Sequence, residues 1–573
     1  MQNARDLRQL LRDIDHKGYP SYKKTAGRWS FGDFILSIDH VQGDPFASPS
    51  NVSVIVKGTT AAFPQEYYGR ADRRIALEDY LLRQFSRELS RSQTDRAGSG
   101  KSGLLSTSRP GQEILERTAM SVDAVSGDVT ARFEVGFPAH GRTVFVRPLE
   151  KILFDVLPEA VEQCLSFRNA DKKRLLAVIH LADDVKVLRE ALFERHLSAF
   201  VADGSILARE SGVSQRPMKS AVPFVSPKSL SVTVSLPHKG EVTGMGIPEG
   251  IFLIVGGGYH GKSTLLSALE RGVYDHIAGD GREFVVTRSD AVKIRSEDGR
   301  SIRSVDVSLF INDLPNRADT TAFSTEDASG STSQAAGTVE AMEAGTSLLL
   351  VDEDTCATNF MVRDELMRQV VTKDKEPITP FRARMHQLYQ KSGISTILVA
   401  GSSGSFFGVA DTIIQMDEYV PKDVTEEAKA VYARAGSDEE EQGAQSFALP
   451  KQKRVAKRIA EWQRPDARVK SKVLAVDAFS IDRENVDLRG LVQIVDREQT
   501  AALAAAVKYL GSRGFDGRKT IVEAVDELYS LIGQKGLSVL FGGGTVRLGL
   551  AMPRREELLG TLNRWRRLSV AVR

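Results

Sequence analysis

The sequence predicts an α/β protein of several domains, centred on a phosphate-binding loop. Three observations carry this expectation. A chain of 573 residues exceeds what one hydrophobic core organises and implies roughly three or four domains. From the proline-rich bridge "RPMKSAVPFVSPKS" to about Tyr419, apolar strand-like runs alternate with helical periods, the mark of a layered α/β structure. Inside that stretch, "IFLIVGGGYHGKSTLL" passes from an apolar strand through glycines into a helix, the order that a cradle for phosphates requires.

The remaining chain is read in order. Leu7, Leu10, Leu11 and Ile14 repeat at helical spacing, and "FILSIDHV" and "VSVIVKG" follow as strands. "ALEDYLLRQFSREL" is an amphipathic helix with Leu77, Tyr80, Leu81 and Phe85 on one face; "VTARFEVGF" and "TVFVRP" alternate as strands, and helical periods return between Ala160 and Phe200. The expected boundaries are an N-terminal α+β domain over 1–215, the central domain over 216–425, an acidic linker over 426–450 containing "GSDEEEQGAQS", and a basic segment with a small C-terminal α/β domain over 451–573.

Bulk properties exclude several classes. A formal charge of +2 gives no whole-molecule field for a polyanion, so only local patches can argue for one. Two cysteines, Cys164 and Cys356, make no disulfide framework and suit a reducing cytoplasm. The charged start "MQNARDLRQLLRDID" has no signal-peptide core, and apolar runs such as "SLLLV" fall well short of the roughly 18 residues of a membrane span. No cysteine and histidine cluster has zinc spacing. Cys356 reads as packing rather than as a redox sensor.

The triplet Gly-Lys-Ser occurs twice. At the second site the strand Ile251–Val255 leads into Gly256, Gly257, Gly258, Tyr259, His260, Gly261, Lys262, Ser263 and Thr264, which satisfy G-x-x-x-x-G-K-[ST] and open a helix. The first site, "TDRAGSGKSGLL", has Asp95 where the first glycine belongs, no strand before it and no helix after it. It reads as a mobile glycine-serine loop, with Lys101 and Arg96 able to meet other phosphates. "GGGYHG" also fits the dinucleotide fingerprint, but Lys262 and Ser263 have no duty there. A second motif favours a nucleoside triphosphate with magnesium: "SLLLVDEDTCATNF" is an apolar strand ending in Asp352, which can hold Mg2+, and Glu353, which can polarise water. Between the two motifs, "TEDASGSTSQAAGTVEAMEAG" predicts a helix from about Thr332 to Ala344, closed by Gly345.

Phosphate loop, Ser-Gly-rich helix start and "VDED", in that order, resemble the ATP-binding-cassette (ABC) class. "MGIPEGIFLIVGGGYHGKSTLL", "GVYDHIAGDGREFVVT", "FSTEDASGSTSQAAG", "LLVDEDTCATNFMVRDELM" and "EPITPF" resemble one non-transporter branch, the ABC-class ATPases of bacteria and some eukaryotes, whose members include an ATPase associated with mitochondrial RNA editing in trypanosomes. The resemblance implies a P-loop NTPase of ABC type flanked by α+β and α/β domains, using ATP and Mg2+. It also implies a homodimer with two composite sites, in which Ser329, Gly330 and Ser331 of one copy cap the nucleotide held by Lys262 of the other. Three departures stand out: "SGSTSQ" places Ser331 where glycine is usual, "GSSGS" replaces the switch histidine and leaves Ser402 or Ser403 to sense the γ-phosphate, and Asn312 is assigned to magnesium sensing for want of a glutamine. These departures imply slow turnover with Glu353 as base.

For the partner, two readings stay open. Nucleic acid, most naturally RNA, is suggested by "KQKRVAKRIAEWQRPDARVKSK" with Trp462, and by Tyr19, Tyr22 and Trp29 beside Lys23, Lys24 and Arg28, since aromatics stack bases while cations track phosphates. The alternative is an ATP-driven clamp on a protein partner.

Overall fold

The computed structural model describes residues 2–92, 98–363, 370–371, 375–435, 447, 449–450, 453–464 and 466–573. It forms two compact units, Met1–Asp183 with Lys535–Met552, and Asp184–Gln534 with Pro553–Arg573. Among the described residues no helix is long and apolar enough to cross a membrane.

The first unit begins with helix α1 (Ala4–Ile14). Asn3 and Asp6 close a reciprocal capping box at its start, and Leu7, Leu11 and Ile14 are buried. Strands β1 (Gly27–Ser30), β2 (Phe34–His40), β3 (Ser50–Val56) and β4 (Val129–Val135) run antiparallel in a seven-stranded sheet. Val129, Ala131, Phe133 and Val135 alternate inward along β4. Helix α2 (Ala71–Arg91) covers that face, with the Phe85 ring edge-on to Phe133 at 5.8 Å.

Two sequence expectations are corrected here. Tyr19, Tyr22 and Trp29 are core residues; the tyrosine hydroxyls donate to the carbonyls of Phe137 and Pro138, and the Trp29 indole donates to that of Thr25. No ring face is left for a base, although Lys23, Lys24 and Arg28 are exposed. The first Gly-Lys-Ser triplet is not a free loop either. Lys101 N donates to Pro45 O, and Ser102, fully buried, donates from Oγ to Ser99 O and accepts from Ala139 N. Asp95 and Arg96 lie outside the described residues.

After the long helix α3 (Lys172–Glu194), β5 (Leu197–Ala202), β6 (Ser231–Leu236), β7 (Gly240–Pro248) and β9 (Val285–Thr287) of the second unit form an antiparallel sheet ordered β6-β7-β5-β9. Strand β8 (Ile251–Val255) belongs instead to a six-stranded sheet with β10 (Val292–Ile294), β12 (Leu348–Asp352), β13 (Ser395–Val399), β14 (Thr412–Asp417) and β15 (Val420–Asp423), ordered β10-β12-β13-β8-β14-β15. Every pairing in it is parallel except β14 with β15. Helices α4 (Lys262–Arg271), α5 (Gly330–Glu343) and α6 (Phe381–Ser392) belong to this layer, and strand β11 (Phe323–Ala328) leads into α5. Residues expected in the acidic linker begin with a helix, α7 (Thr425–Arg434); 436–446 lie outside the described residues.

The C-terminal part carries α8 (Arg497–Tyr509), α9 (Ile521–Lys535) and α10 (Arg555–Arg564). The basic segment before it is not helical where described. Arg454–Ala456 pairs antiparallel with Val570–Val572, and Trp462 is buried with its ring 5.3 Å from that of Trp565. Lys453, Lys457, Arg458, Arg464, Arg468, Lys470 and Lys472 remain exposed.

Candidate active site

In a parallel sheet the carboxyl ends of the strands open on one edge, where ligands of α/β folds collect. The register places the ends of β8, β13 and β12 side by side, pairing Ile254 with Val399 and Val399 with Asp352. The loops leaving these strands are Gly256–Gly261, Ala400–Ser403 and Glu353–Cys356.

The glycine turn has two positions that only glycine fits. Gly256 has φ = 141°, and a Cβ there would lie 2.4 Å from Met416 O; Gly261 has φ = 100°, and a Cβ would meet the Tyr419 ring at 2.9 Å. Lys262 donates from Nζ to Gly256 O at 2.6 Å and Gly257 O at 2.8 Å, so the ammonium is held over the turn. Ser263 and Thr264 lie in the first turn of α4, where backbone N–H groups lack helical acceptors and the helix dipole favours an anion. His260 is fixed by the β14–β15 turn: its Nδ1 accepts from Glu418 N at 2.9 Å, and its carbonyl accepts from Tyr419 N. Tyr259 is left-handed at φ = 64° with a fully exposed side chain.

Glu353 and Ser402 are brought together. The Glu353 carboxylate accepts from Gly401 N at 2.7 Å, Ser402 N at 3.1 Å and Ser402 Oγ at 2.9 Å. Ser403 turns away and pairs with Ser405, capping a short helix. Asp352 is nearly buried, accepts from Asp354 N, and lies 4.0 Å from Lys293 Nζ, which is paired with Glu270 at 2.6 Å. Ser263 and Asp352 supply a hydroxyl and a carboxylate, hard oxygen donors of the kind magnesium takes together with phosphate and water. Asn312 donates from Nδ2 to Ser308 O and from its backbone N to Pro377 O. Cys356 is half-buried, and burial pushes its thiol up to about 12, which suits packing.

Ser329 caps α5 through Oγ and is exposed, whereas Gly330 and Ser331 are buried. Ser331 donates to Asn359 Oδ1 at 2.6 Å, and Gln334 Oε1 accepts from Ala357 N at 3.0 Å. The start of α5 is thus tied to the segment after Glu353.

Sequence reasoning missed two features. The first is Arg295–Gly299, the loop leaving β10: Ser296 N donates to Thr355 O, and Glu297 N donates to Ser333 Oγ. It joins the end of β12 to the start of α5, and only the sheet order reveals it. The second is a cleft of about 360 Å³ beside Gly261 and Thr264, lined by Leu207, Phe224, Met416 and Tyr419, residues drawn from three separated segments.

Comparison with known proteins agrees with this geometry. Residues 171–453 match a family model described as the ABC ATPase P-loop domain, residues 4–168 one described as the N-terminal part of ATPases of the ABC class, and residues 470–571 the MRB1590 C-terminal domain. The uncharacterized protein MJ1628 of Methanocaldococcus jannaschii is 31% identical over 249 residues, which cover 41% of this chain and 54% of that protein; the chain thus spans about half the length of that relative. A solved structure, cbiO1 from Clostridium perfringens, part of the ABC transporter complex cbiONQ, is 16% identical with a TM-score of 0.22, covering 36% of this chain and 89% of its own. A score that low carries no structural argument.

Proposed function

Since the chain belongs to the ABC class of P-loop ATPases, we propose that it binds ATP with magnesium on the Gly256–Thr264 turn and hydrolyses it with Glu353 as base. The observation that carries this is the Glu353 carboxylate, fixed by Gly401 and Ser402 beside Asp352 and the glycine turn. Lys262 exchanges its two loop carbonyls for the β- and γ-phosphates, a stronger charge-assisted contact. Ser263 and Asp352 hold magnesium, which neutralises charge on the transferred phosphoryl group. The cleft beside Thr264 takes the base, with Tyr419 and Phe224 as its apolar walls.

Ser402 does the work of orienting Glu353. A hydroxyl cannot share the proton that the base removes, so turnover is slow. The exposed Ser329 belongs to a second copy's site; among the described residues the hydrogen bonds that Ser329–Gln334 make outside α5 run to Glu297 and Ala357–Met361, with none to its own glycine turn. Two copies therefore close about two nucleotides. With the aromatic rings buried, RNA is gripped by exposed lysines and arginines on its phosphates, without base stacking. Such binding is indifferent to sequence and sensitive to salt.

The test is to measure ATP affinity and turnover in Lys262→Ala and Glu353→Gln. Lys262→Ala is expected to lose binding. Glu353→Gln should keep it while turnover falls by roughly 10²- to 10⁴-fold, the scale of a lost general base. Tight ATP binding by Lys262→Ala would overturn the assignment.

A further inference from the structure

The loop Arg295–Gly299 is held from its other side by the C-terminal part of the chain. Arg564, at the end of α10, grips the Glu297 carboxylate with two nitrogens, Nε at 2.9 Å from Oε2 and a terminal nitrogen on Oε1. Both side chains are largely buried, at 10% and 16% exposure. Burial alone would raise the Glu297 carboxyl, but Arg564 and Arg300 carry it below the usual carboxylate range. Gly490 leaves the room: a Cβ there would lie 2.0 Å from the Glu297 carboxylate. Arg566 donates to Gly299 O at 2.8 Å and to Glu326 O at 2.7 Å, just before α5. Further along, Gln493 accepts from Lys293 N and donates to Ala291 O, on the strand that launches the loop.

These contacts fix the Arg295–Gly299 loop, the start of the strand before it and the strand that leads into α5. The loop touches Thr355 behind Asp352 and Glu353, and touches Ser333 in the first turn of α5. The Asp352–Glu353 end serves the nucleotide of this chain, and α5 presents Ser329.

We propose that Arg564 is a positioning residue for ATP turnover: through Glu297 it sets the Arg295–Gly299 loop, and with it the spacing between the Glu353 segment and the start of α5. The C-terminal domain thereby governs the rate of hydrolysis without touching the nucleotide. This rests on the ATPase reading above.

The experiment compares the full-length wild type with Arg564→Met, Arg564→Lys and Gly490→Ala, measuring turnover, affinity for a fluorescent ATP analogue, and thermal unfolding. Gly490→Ala is the cleaner probe, because it wedges Glu297 off its partner while leaving every charge in place. Turnover is expected to fall by roughly 10- to 100-fold in Arg564→Met and Gly490→Ala, the cost of a misplacement on the order of 1 Å. Nucleotide affinity should hold, and Arg564→Lys should recover part of the rate. The proposal is overturned if folded variants turn over ATP like the wild type, or if the rate falls only as far as affinity or folded fraction does. A wild type that neither binds nor hydrolyses ATP would bring down the ATPase reading itself, and this inference with it.

Discussion

Gly256 and Gly258 look alike in the sequence and differ in the structure. At φ = 141°, with Met416 O in the way of a side chain, Gly256 is a position only glycine fills; Gly258 has no positive φ and nothing within 4 Å of a Cβ. Gly256→Ala should therefore destabilise the turn by roughly 1–3 kcal/mol, the cost of a residue forced into a sparsely populated backbone region. ATP binding should go with it, whereas Gly258→Ala keeps the wild-type melting temperature. Thermal unfolding and ATP binding of the two variants decide this, and equal stability of both would refute the backbone argument. The motif residues were legible because a phosphate turn has a fixed spacing, but their partners were not. That Ser402 rather than Ser403 meets Glu353 depends on parallel pairing across some 50 residues, and that Ser331 is spent on Asn359 depends on how the chain returns after β12.

At the scale of elements, periodicity placed α2, β4 and the helix of the glycine turn well, since each carries its own apolar pattern. It failed for the basic segment, where Val455 and Ala456 pair with Ala571 and Val570 and Val455 also bridges to Thr520; a strand defined by partners so far along the chain leaves no local trace. A separation of 44 positions hid the duty of Glu78 on α2, which accepts from Val122 N at 2.7 Å inside the core. Burial pushes its carboxyl up to about 8, with Glu116 adding to the rise and Val122, Arg74 and Arg132 opposing it. An unfolded glutamate titrates near about 4.3, so between that pH and 8 the folded chain holds a proton that the unfolded chain has lost. Stability is full below the unfolded value and falls as pH rises through the folded one. Urea unfolding of the full chain between pH 5 and 8 should show this decline in the wild type. Glu78→Gln keeps an acceptor for Val122 without a titrating group, and should flatten the decline by an amount on the order of kcal/mol. Parallel pH profiles would show that Glu78 is not the source.

For the whole molecule, the question is whether the site closes within one chain or between two. If, as proposed, Ser329 of one copy caps the nucleotide on the glycine turn of another, nucleotide and dimer should be linked: ATP that stays unhydrolysed would hold two copies together by its contacts with both. Light scattering of Glu353→Gln with saturating ATP and magnesium should give the mass of two chains, and omission of ATP the mass of one. Ser329→Asp separates capping from bridging. Aspartate serves an N-cap as well as serine does, so α5 and the fold survive, but a carboxylate facing the γ-phosphate repels it and the dimer should be lost while ATP still binds. Labelled single-stranded RNA retained by the trapped dimer, with affinity falling as salt rises, would place its phosphates on the exposed cations. A stoichiometric protein co-purifying in its place would make the dimer a clamp on that protein. A Glu353→Gln chain that stays single with ATP bound would show that one chain encloses the nucleotide, and a Ser329→Asp chain that still pairs would show that Ser329 does not bridge the two copies.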